Sequence, residues 1–272
     1  MTRIIAIGSS HLGAVKLGWN RISSRFPGID MQFFGAPADT FWRFQLSSGL
    51  HFGVLDGVEM SADRLAVIQK LNGRQAVELA GADIVLHVGW PLKEILNAQL
   101  LSTFSVDGLH DLPKGRRMSF SAYSAFVDAI IDDILPPQPW RNWKKPVLVM
   151  MPKPRIAETV SGEKFFKTRA WVKLSRTSGI TAETLNFFTE RVRSRFAEAG
   201  VTIALPPIEV YGATGLVKAQ YARAVSTDDD LPSRGNDGDH SHMNADYGAL
   251  ALTAVLNDLG VCDGLAPSTS TG

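Results

Sequence analysis

A serine near the start of the chain occupies a position from which it could act as a nucleophile. The sequence Gly8-Ser9-Ser10-His11 follows a short apolar run and precedes an amphipathic helical pattern. A serine at such a strand-to-helix turn has its hydroxyl at the carboxyl end of a strand, beside helix amides that stabilise an anion. Serine is also a good helix N-cap, so a purely structural role for Ser9 or Ser10 stays open.

A second group of reactive residue types precedes the last helical pattern. The segment from 237 to 244 reads Asp-Gly-Asp-His-Ser-His-Met-Asn. A hydroxyl nucleophile needs a base, and that base needs a carboxylate to orient it. Asp239 and His242 supply such a pair three residues apart, and Asp237 and His240 form an alternative pair at the same spacing. Together with Ser10, either pair predicts acyl transfer through a covalent intermediate.

Two other interpretations of this acidic segment stay open. Its two aspartates and two histidines are possible metal ligands within six residues. They lack the helical histidine pair and the cysteine partners of common zinc sites, so we expect no metal. Alternatively, the loop is only solvated, and Asn244 caps the helix that follows.

The elements that must position these residues follow from the apolar pattern. Five short apolar runs predict a parallel sheet buried on both faces, with strands at 4–7, 31–34, 84–88, 147–151 and 202–205. Apolar residues at helical spacing predict helices at 12–26, 120–134, 185–196 and 247–259, the last one ending at Gly260. Alternating strands and helices indicate an α/β protein with right-handed crossovers.

The chain is predicted to form one domain over residues 1–260, with an insertion at about 41–79 and a flexible tail at 261–272. Within the insertion, residues 51–58 suggest a hairpin, whereas residues 64–79 fit either a strand or a helix. The tail is rich in Pro, Ser, Thr and Gly, a composition that does not form a packed core.

Composition excludes several classes of protein. The 272 residues include 45% hydrophobic types, and 28 basic against 27 acidic residues give a net charge of +1. This balance argues against a nucleic-acid-binding surface, and no apolar stretch approaches the ~20 residues of a membrane helix. The single cysteine, Cys262, cannot form an intrachain disulfide. We therefore expect a cytoplasmic protein with no nucleic-acid or membrane partner.

Taken together, Ser10 after the first strand and Asp239-x-x-His242 before the last helix resemble the first and last sequence blocks of the SGNH (GDSL-type) hydrolase superfamily. The order and separation of the blocks, from residue 8 to residue 248, make the resemblance more specific than either motif alone. It implies a three-layer, flavodoxin-like α/β fold with a central five-stranded parallel sheet flanked by helices. It also implies that Ser10 is the nucleophile, His242 the base and Asp239 the orienting acid.

The resemblance further implies an oxyanion hole. Gly35 matches the block-two glycine whose amide is a donor, and Gly89 matches the glycine of block three. The family's block-three asparagine is absent, because residues 89–92 read Gly-Trp-Pro-Leu. Losing one oxyanion donor costs about 10²–10³ in rate. The candidates to replace it are Ser9, which stands where the family usually has aspartate, His11 and Asn244.

These features predict a serine esterase that hydrolyses short-chain or acetyl O-acyl esters of a small molecule or glycan, without a cofactor. The Ser10-His11 pair resembles the variant found in family members that act on O-acyl groups of glycans. Trp90, at the end of the third predicted strand, is a candidate to stack on the substrate, and Trp19 is expected in the core. The alternatives are an O-acyltransferase that uses the same residues, or a catalytically impaired protein that binds a glycan or another partner.

Overall fold

The structure is a computed structural model that describes residues 1–141, 143–159, 166–176, 182–223 and 241–261. Its strands are β1 (Thr2–Gly8), β2 (Ile29–Gly35), β3 (Gln45–Leu46), β4 (His51–Gly53), β5 (Ala76–Glu78), β6 (Ile84–Trp90), β7 (Phe104–Val106), β8 (Arg116–Met118), β9 (Val147–Pro152) and β10 (Thr202–Ile203). Its α-helices are α1 (Leu12–Ile22), α2 (Ala38–Phe41), α3 (Ala62–Asn72), α4 (Glu94–Leu101), α5 (Phe120–Ile134), α6 (Phe166–Ser175), α7 (Ala182–Glu198) and α8 (Ala245–Asp258).

A central parallel sheet has five strands in the order β10-β9-β6-β1-β2. The chain runs from β1 outward to β2, then crosses to the other side of β1 to form β6. The strand order therefore reverses between β1 and β6, and such a reversal leaves a crevice at the carboxyl ends of the two strands. Ser10 follows the last residue of β1 by two positions, which places it at this crevice.

The sequence predicted these central elements correctly. All five apolar runs form strands of the sheet, and the four predicted helices correspond to α1, α5, α7 and α8, with ends that differ by a few residues. Gly260 has the positive φ of 64° expected of a glycine that ends a helix. The chain is thus an α/β protein whose five-stranded parallel sheet is flanked by helices.

Alternate residues of the strands face two separate apolar clusters. Ile5 and Ile7 of β1 belong to one cluster, which α4, α5 and α7 cover, whereas Ile4 and Ala6 belong to the other, which α1 and α8 cover. We call these the α5/α7 side and the α1/α8 side. Burial on both faces explains why the strands read as continuous apolar runs.

Helices α1 and α8 touch backbone to backbone on the α1/α8 side. A Cβ on Gly248 would lie 1.9 Å from the carbonyl oxygen of Ala14, and a Cβ on Gly18 would lie 2.2 Å from the amide nitrogen of Ala249. Only glycine permits this approach, which brings the N-terminal ends of the two helices side by side. Ser10 precedes one of those ends and His242 precedes the other.

The predicted insertion at 41–79 forms a small antiparallel sheet in the order β3-β4-β5, together with α3. The hairpin expected within 51–58 is wrong, because β4 pairs with β3 before it and with β5 some twenty residues later. The ambiguous stretch 64–79 contains both elements in turn: most of α3, then β5. Of the predicted tail, residues 262–272 lie outside the described residues.

Among the residues that the structure describes, no helix combines the length and the apolar character needed to cross a membrane.

Candidate active site

Ser10 and His242 meet at the crevice. Ser10 Oγ lies 2.8 Å from His242 Nε2, although the two residues are 232 positions apart in the chain. With the ring proton on Nδ1, the serine hydroxyl donates to the free Nε2 lone pair. This is the contact that a base needs in order to take the proton of a hydroxyl nucleophile. The predicted pairing of Ser10 with His242 is therefore present in the structure.

The turn between β1 and α1 presents Ser10 to solvent. The Leu12 N–H donates to the Ser9 carbonyl at 2.9 Å, and the Gly13 N–H donates to the Ser10 carbonyl at 3.3 Å, so the first turn of α1 fixes the backbone around Ser10. Among the described residues, the Ser10 N–H meets no acceptor. That N–H is therefore available to the oxyanion that develops on a substrate carbonyl oxygen when Ser10 Oγ attacks the carbonyl carbon.

His242 is held by a short backbone ladder. The Arg223 N–H donates to the His242 carbonyl at 3.0 Å, and the Asn244 N–H donates to the Tyr221 carbonyl at 3.0 Å. Ala222 and Met243 form an antiparallel bridge between these two bonds. The backbone from His242 to Asn244 is thus fixed before α8 begins.

Asn244 is a structural residue, and its suggested role as an oxyanion donor is wrong. Its side-chain oxygen accepts the Tyr247 N–H at 3.1 Å, which confirms that Asn244 caps α8. Its side-chain nitrogen donates to the Gln220 carbonyl at 2.7 Å. The side chain is buried and engaged at both ends, so it cannot turn toward a substrate without uncapping the helix.

The structure also contradicts the oxyanion role expected of Gly35. Its N–H donates to Asn72 Oδ1 at 2.9 Å, while Asn72 Nδ2 donates to the carbonyls of Gly35 at 2.9 Å and of Ile68 at 2.8 Å. The side-chain amide of Asn72, the last residue of α3, thus pairs with both backbone polar groups of Gly35 at the end of β2. Sequence reasoning missed Asn72, because an asparagine before a helix-ending glycine gives no sign of a partner 37 residues away.

Gly89 and His11 lie next to each other at the site, and His11 in turn contacts His242. Gly89 has φ +84°, and a Cβ on it would lie 3.3 Å from both Cβ and Cδ2 of His11. The His11 ring stacks on the His242 ring, with centroids 4.9 Å apart and planes inclined by 28°. Ser9, the third suggested donor, is buried beneath the turn.

Trp90 does not line the crevice, so its predicted contact with substrate is wrong. The side chain is only 8% exposed, and its Nε1 donates to the Ile134 carbonyl at 2.9 Å. An irregularity in the pairing of β6 with β9 falls between Val88 and Trp90, at Gly89. The extra residue reverses the alternation of the strand, so Trp90 lies on the α5/α7 side instead of following Val88 toward α1. Trp19, expected in the core, is half-buried and packs against the α1/α8 cluster.

An aromatic cluster, defined by Phe41, Trp42, His87, Trp90 and Trp140, fills the α5/α7 side below the carboxyl edge. His87 is buried at its centre, and burial lowers the pKa of its ring to about 3. Its Nδ1 has no hydrogen-bond partner among the described residues. This histidine is neutral, because burial disfavours its charged form.

A small pocket adjoins the Ser10–His242 pair. It encloses about 20 Å³, room for about one water molecule, between the first turn of α1 and the segment that carries His242. Arg223 lines it together with Ser10, His11 and His242. Sequence reasoning missed Arg223, because its position depends on the ladder between residues 221–223 and 242–244.

Part of the predicted site lies outside the described residues. This applies to Asp239, the proposed orienting acid, and to the alternative pair of Asp237 and His240. Of the four possible metal ligands in that segment, the structure describes only His242. The structure thus brings together Ser10, His242 and His11, while the acid stays a prediction.

Comparisons with known proteins add little to this geometry. No protein-family model matches the chain, and no curated protein matches it. One similar solved structure is the crystal structure of a DUF4886 family protein from Bacteroides uniformis, with 13% identity and a TM-score of 0.33. The match covers 98% of this chain and 88% of that one. Similarity at this level says nothing about activity.

Proposed function

We propose that the chain is a serine ester hydrolase of the SGNH (GDSL-type) kind. The observation that carries this proposal is the 2.8 Å contact between Ser10 Oγ and His242 Nε2. Its place in the fold supports the proposal, because the pair lies where the strand order reverses. The order of the five parallel strands along the sheet agrees with the flavodoxin-like order, whose ligands bind at this point.

Each half of the reaction transfers one proton twice. Ser10 Oγ attacks the ester carbonyl carbon as His242 Nε2 takes the hydroxyl proton, and the C–O bond to the alcohol breaks as His242 returns that proton to the leaving oxygen. Water then repeats the sequence on the acyl-serine and releases the acid. Asp239 is the proposed partner of the imidazolium. The free N–H of Ser10 is the proposed donor to the oxyanion.

The N-terminal end of α1 supports negative charge at this position. The first turn of α1 contains no acidic residue, so nothing within that turn opposes the positive end of the helix dipole beside Ser10. The proposed substrate, as expected from the sequence, is a short-chain O-acyl ester of a small molecule or carbohydrate.

Labelling with a fluorophosphonate probe and turnover of p-nitrophenyl acetate test this proposal together. We expect the probe to modify Ser10, and we expect Ser10→Ala and His242→Gln each to lower kcat by about 10⁴-fold or more. Ser24→Ala, at another exposed serine near α1, is the matched control and should retain full activity. The unfolding midpoint of Ser10→Ala should equal that of the wild type, since its side chain is exposed.

Three further results would redirect or end the proposal. Absence of both probe labelling and ester turnover in the wild type would contradict it and favour a binding protein without catalysis. Product esters that form faster than free acid when a sugar is added would favour O-acyl transfer through the same serine. Activity that survives Ser10→Ala but is lost on adding a chelator would indicate a metal-dependent reaction.

A further inference from the structure

The imidazole of His242 lies against a second imidazole. The ring of His11 stacks on it with a centroid distance of 4.9 Å and an inclination of 28°, while Nε2 of His242 stays 2.8 Å from Ser10 Oγ. His11 directly follows Ser10 and precedes the first residue of α1. The residue next to the nucleophile therefore contacts the base.

His11 is in turn backed by Gly89. The backbone of Gly89 adopts φ +84° at the irregular end of β6, and it passes so close that a Cβ would lie 3.3 Å from Cβ and Cδ2 of His11. This contact is tight enough that the His11 side chain would have to shift if any other residue replaced the glycine. The three residues form a row from the sheet edge to the base: Gly89, then His11, then His242.

We infer that His11 is a positioning residue that holds the His242 ring in the orientation where Nε2 faces Ser10 Oγ. The inference rests on the proposed function, in which His242 is the base. A flat ring packed against one face of the imidazole limits its rotation about the Cβ–Cγ bond, and misplacement of a catalytic group by about 1 Å can cost 10²-fold in rate. The feature of His11 that this role requires is its flat ring.

Substitutions at His11 separate this role from a chemical one. We expect His11→Ala to lower kcat for p-nitrophenyl acetate by about 10- to 100-fold with KM nearly unchanged, because binding contacts persist while the base is misaligned. His11→Phe, which keeps a flat ring without nitrogens, should restore kcat to within a few-fold of the wild type. Wild-type kcat in His11→Ala, or a kcat for His11→Phe as low as for His11→Ala, would overturn the inference.

Gly89 offers a matched test that leaves His11 unchanged. Gly57 has φ +87°, and a Cβ on it would meet no atom of the described residues within 4 Å, so alanine there introduces the same backbone strain in open space. We expect both Gly89→Ala and Gly57→Ala to lower the unfolding midpoint, but only Gly89→Ala to lower kcat below that of the wild type. Equal kcat in the two variants would contradict the row from Gly89 to His242.

Histidine NMR keeps a failure of this inference distinct from a failure of the proposed function. The ring protons of His242, identified by their loss in His242→Gln, should shift in His11→Ala and remain near their wild-type positions in His11→Phe. If these shifts occur but kcat does not change, the esterase stands and the positioning role is wrong. If His11→Ala produces the shifts but the wild type neither reacts with the probe nor turns over ester, the proposed function fails instead.

Discussion

The two sides of the central sheet each hold a histidine near the carboxyl edge, and the two histidines differ in burial and in contacts. On the α1/α8 side, His242 is half-buried and lies 2.8 Å from Ser10 Oγ and against a second imidazole. On the α5/α7 side, His87 is buried in the aromatic cluster, and burial lowers its pKa to about 3. His87 pairs in register with Ile7, close to the same carboxyl edge. Closeness to the edge therefore does not decide the environment of a histidine, since of these two only His242 contacts a hydroxyl and is partly exposed to water.

The largest effect on stability is expected at Trp90, if the α5/α7 side serves stability alone. Trp90→Ala removes a buried indole and its hydrogen bond to the Ile134 carbonyl, so we expect it to lower the free energy of unfolding by about 3–5 kcal/mol. Trp42→Ala is the matched control in the same cluster. Because Trp42 is 50% exposed, we expect a loss of only about 1 kcal/mol. Urea unfolding followed by circular dichroism measures both values.

The rate of fluorophosphonate labelling at Ser10 tests whether the α5/α7 side affects the proposed reaction. Under conditions in which the wild type and Trp42→Ala are both folded, we expect the two proteins to be labelled at the same rate. A tenfold slower rate in Trp42→Ala at full stability would contradict the comparison, because the aromatic cluster would then take part in the chemistry.

Trp90 also shows why part of the site could not be predicted. Its position at the end of an apolar run, next to a glycine, correctly placed it at the end of β6. The side of the sheet that it faces depends on the irregularity at Gly89, and one extra residue reverses every later side chain of a strand. The positive φ at Gly89 is not visible in the sequence, since glycine adopts negative φ about as readily as positive φ.

A second prediction concerns the burial of His87 and is tested by measuring stability as the pH is lowered. The unfolded histidine takes up a proton near pH 6.5, whereas the folded one, with its lowered pKa, does so only near pH 3. Between these values the unfolded state binds the extra proton, so stability falls as the pH is lowered. From pH 7 to pH 5, the wild type should lose about 2 kcal/mol more than His87→Phe does.

The comparison between the two proteins removes the contribution of every other titrating group, because those groups are shared. Urea midpoints at pH 7 and pH 5 give the two losses, and the difference between pH values matters rather than the absolute stability of the variant. Equal losses in both proteins would mean that His87 takes up its proton in the folded state, and the aromatic cluster would not be dry.

The Ser10–His242 contact could be expected from the sequence because the relevant information is local. Ser10 follows a strand and precedes a helix, and Asn244 caps α8 two residues after His242, so short motifs placed both ends of the Ser10–His242 contact. The role expected of Gly35 failed because its hydrogen-bonding partner, Asn72, comes from the insertion. A hydrogen-bonding partner from a distant segment leaves no pattern in the sequence around the residue that it contacts.

The smallest effect is expected at Asn72, and it tests whether the Gly35 N–H takes part in the proposed reaction. Asn72→Ala removes three hydrogen bonds at the end of α3, and because the groups are only partly buried we expect a loss of about 1 kcal/mol. Gln69→Ala removes an exposed bond to the Gly73 carbonyl at the same helix end and serves as the control. We expect kcat to change by less than about twofold, since the Gly35 N–H is turned toward Asn72 and contributes nothing to an oxyanion. A clear rise in kcat would mean that the freed N–H reaches the oxyanion. Gly35, at the end of β2, would then belong to the proposed active site.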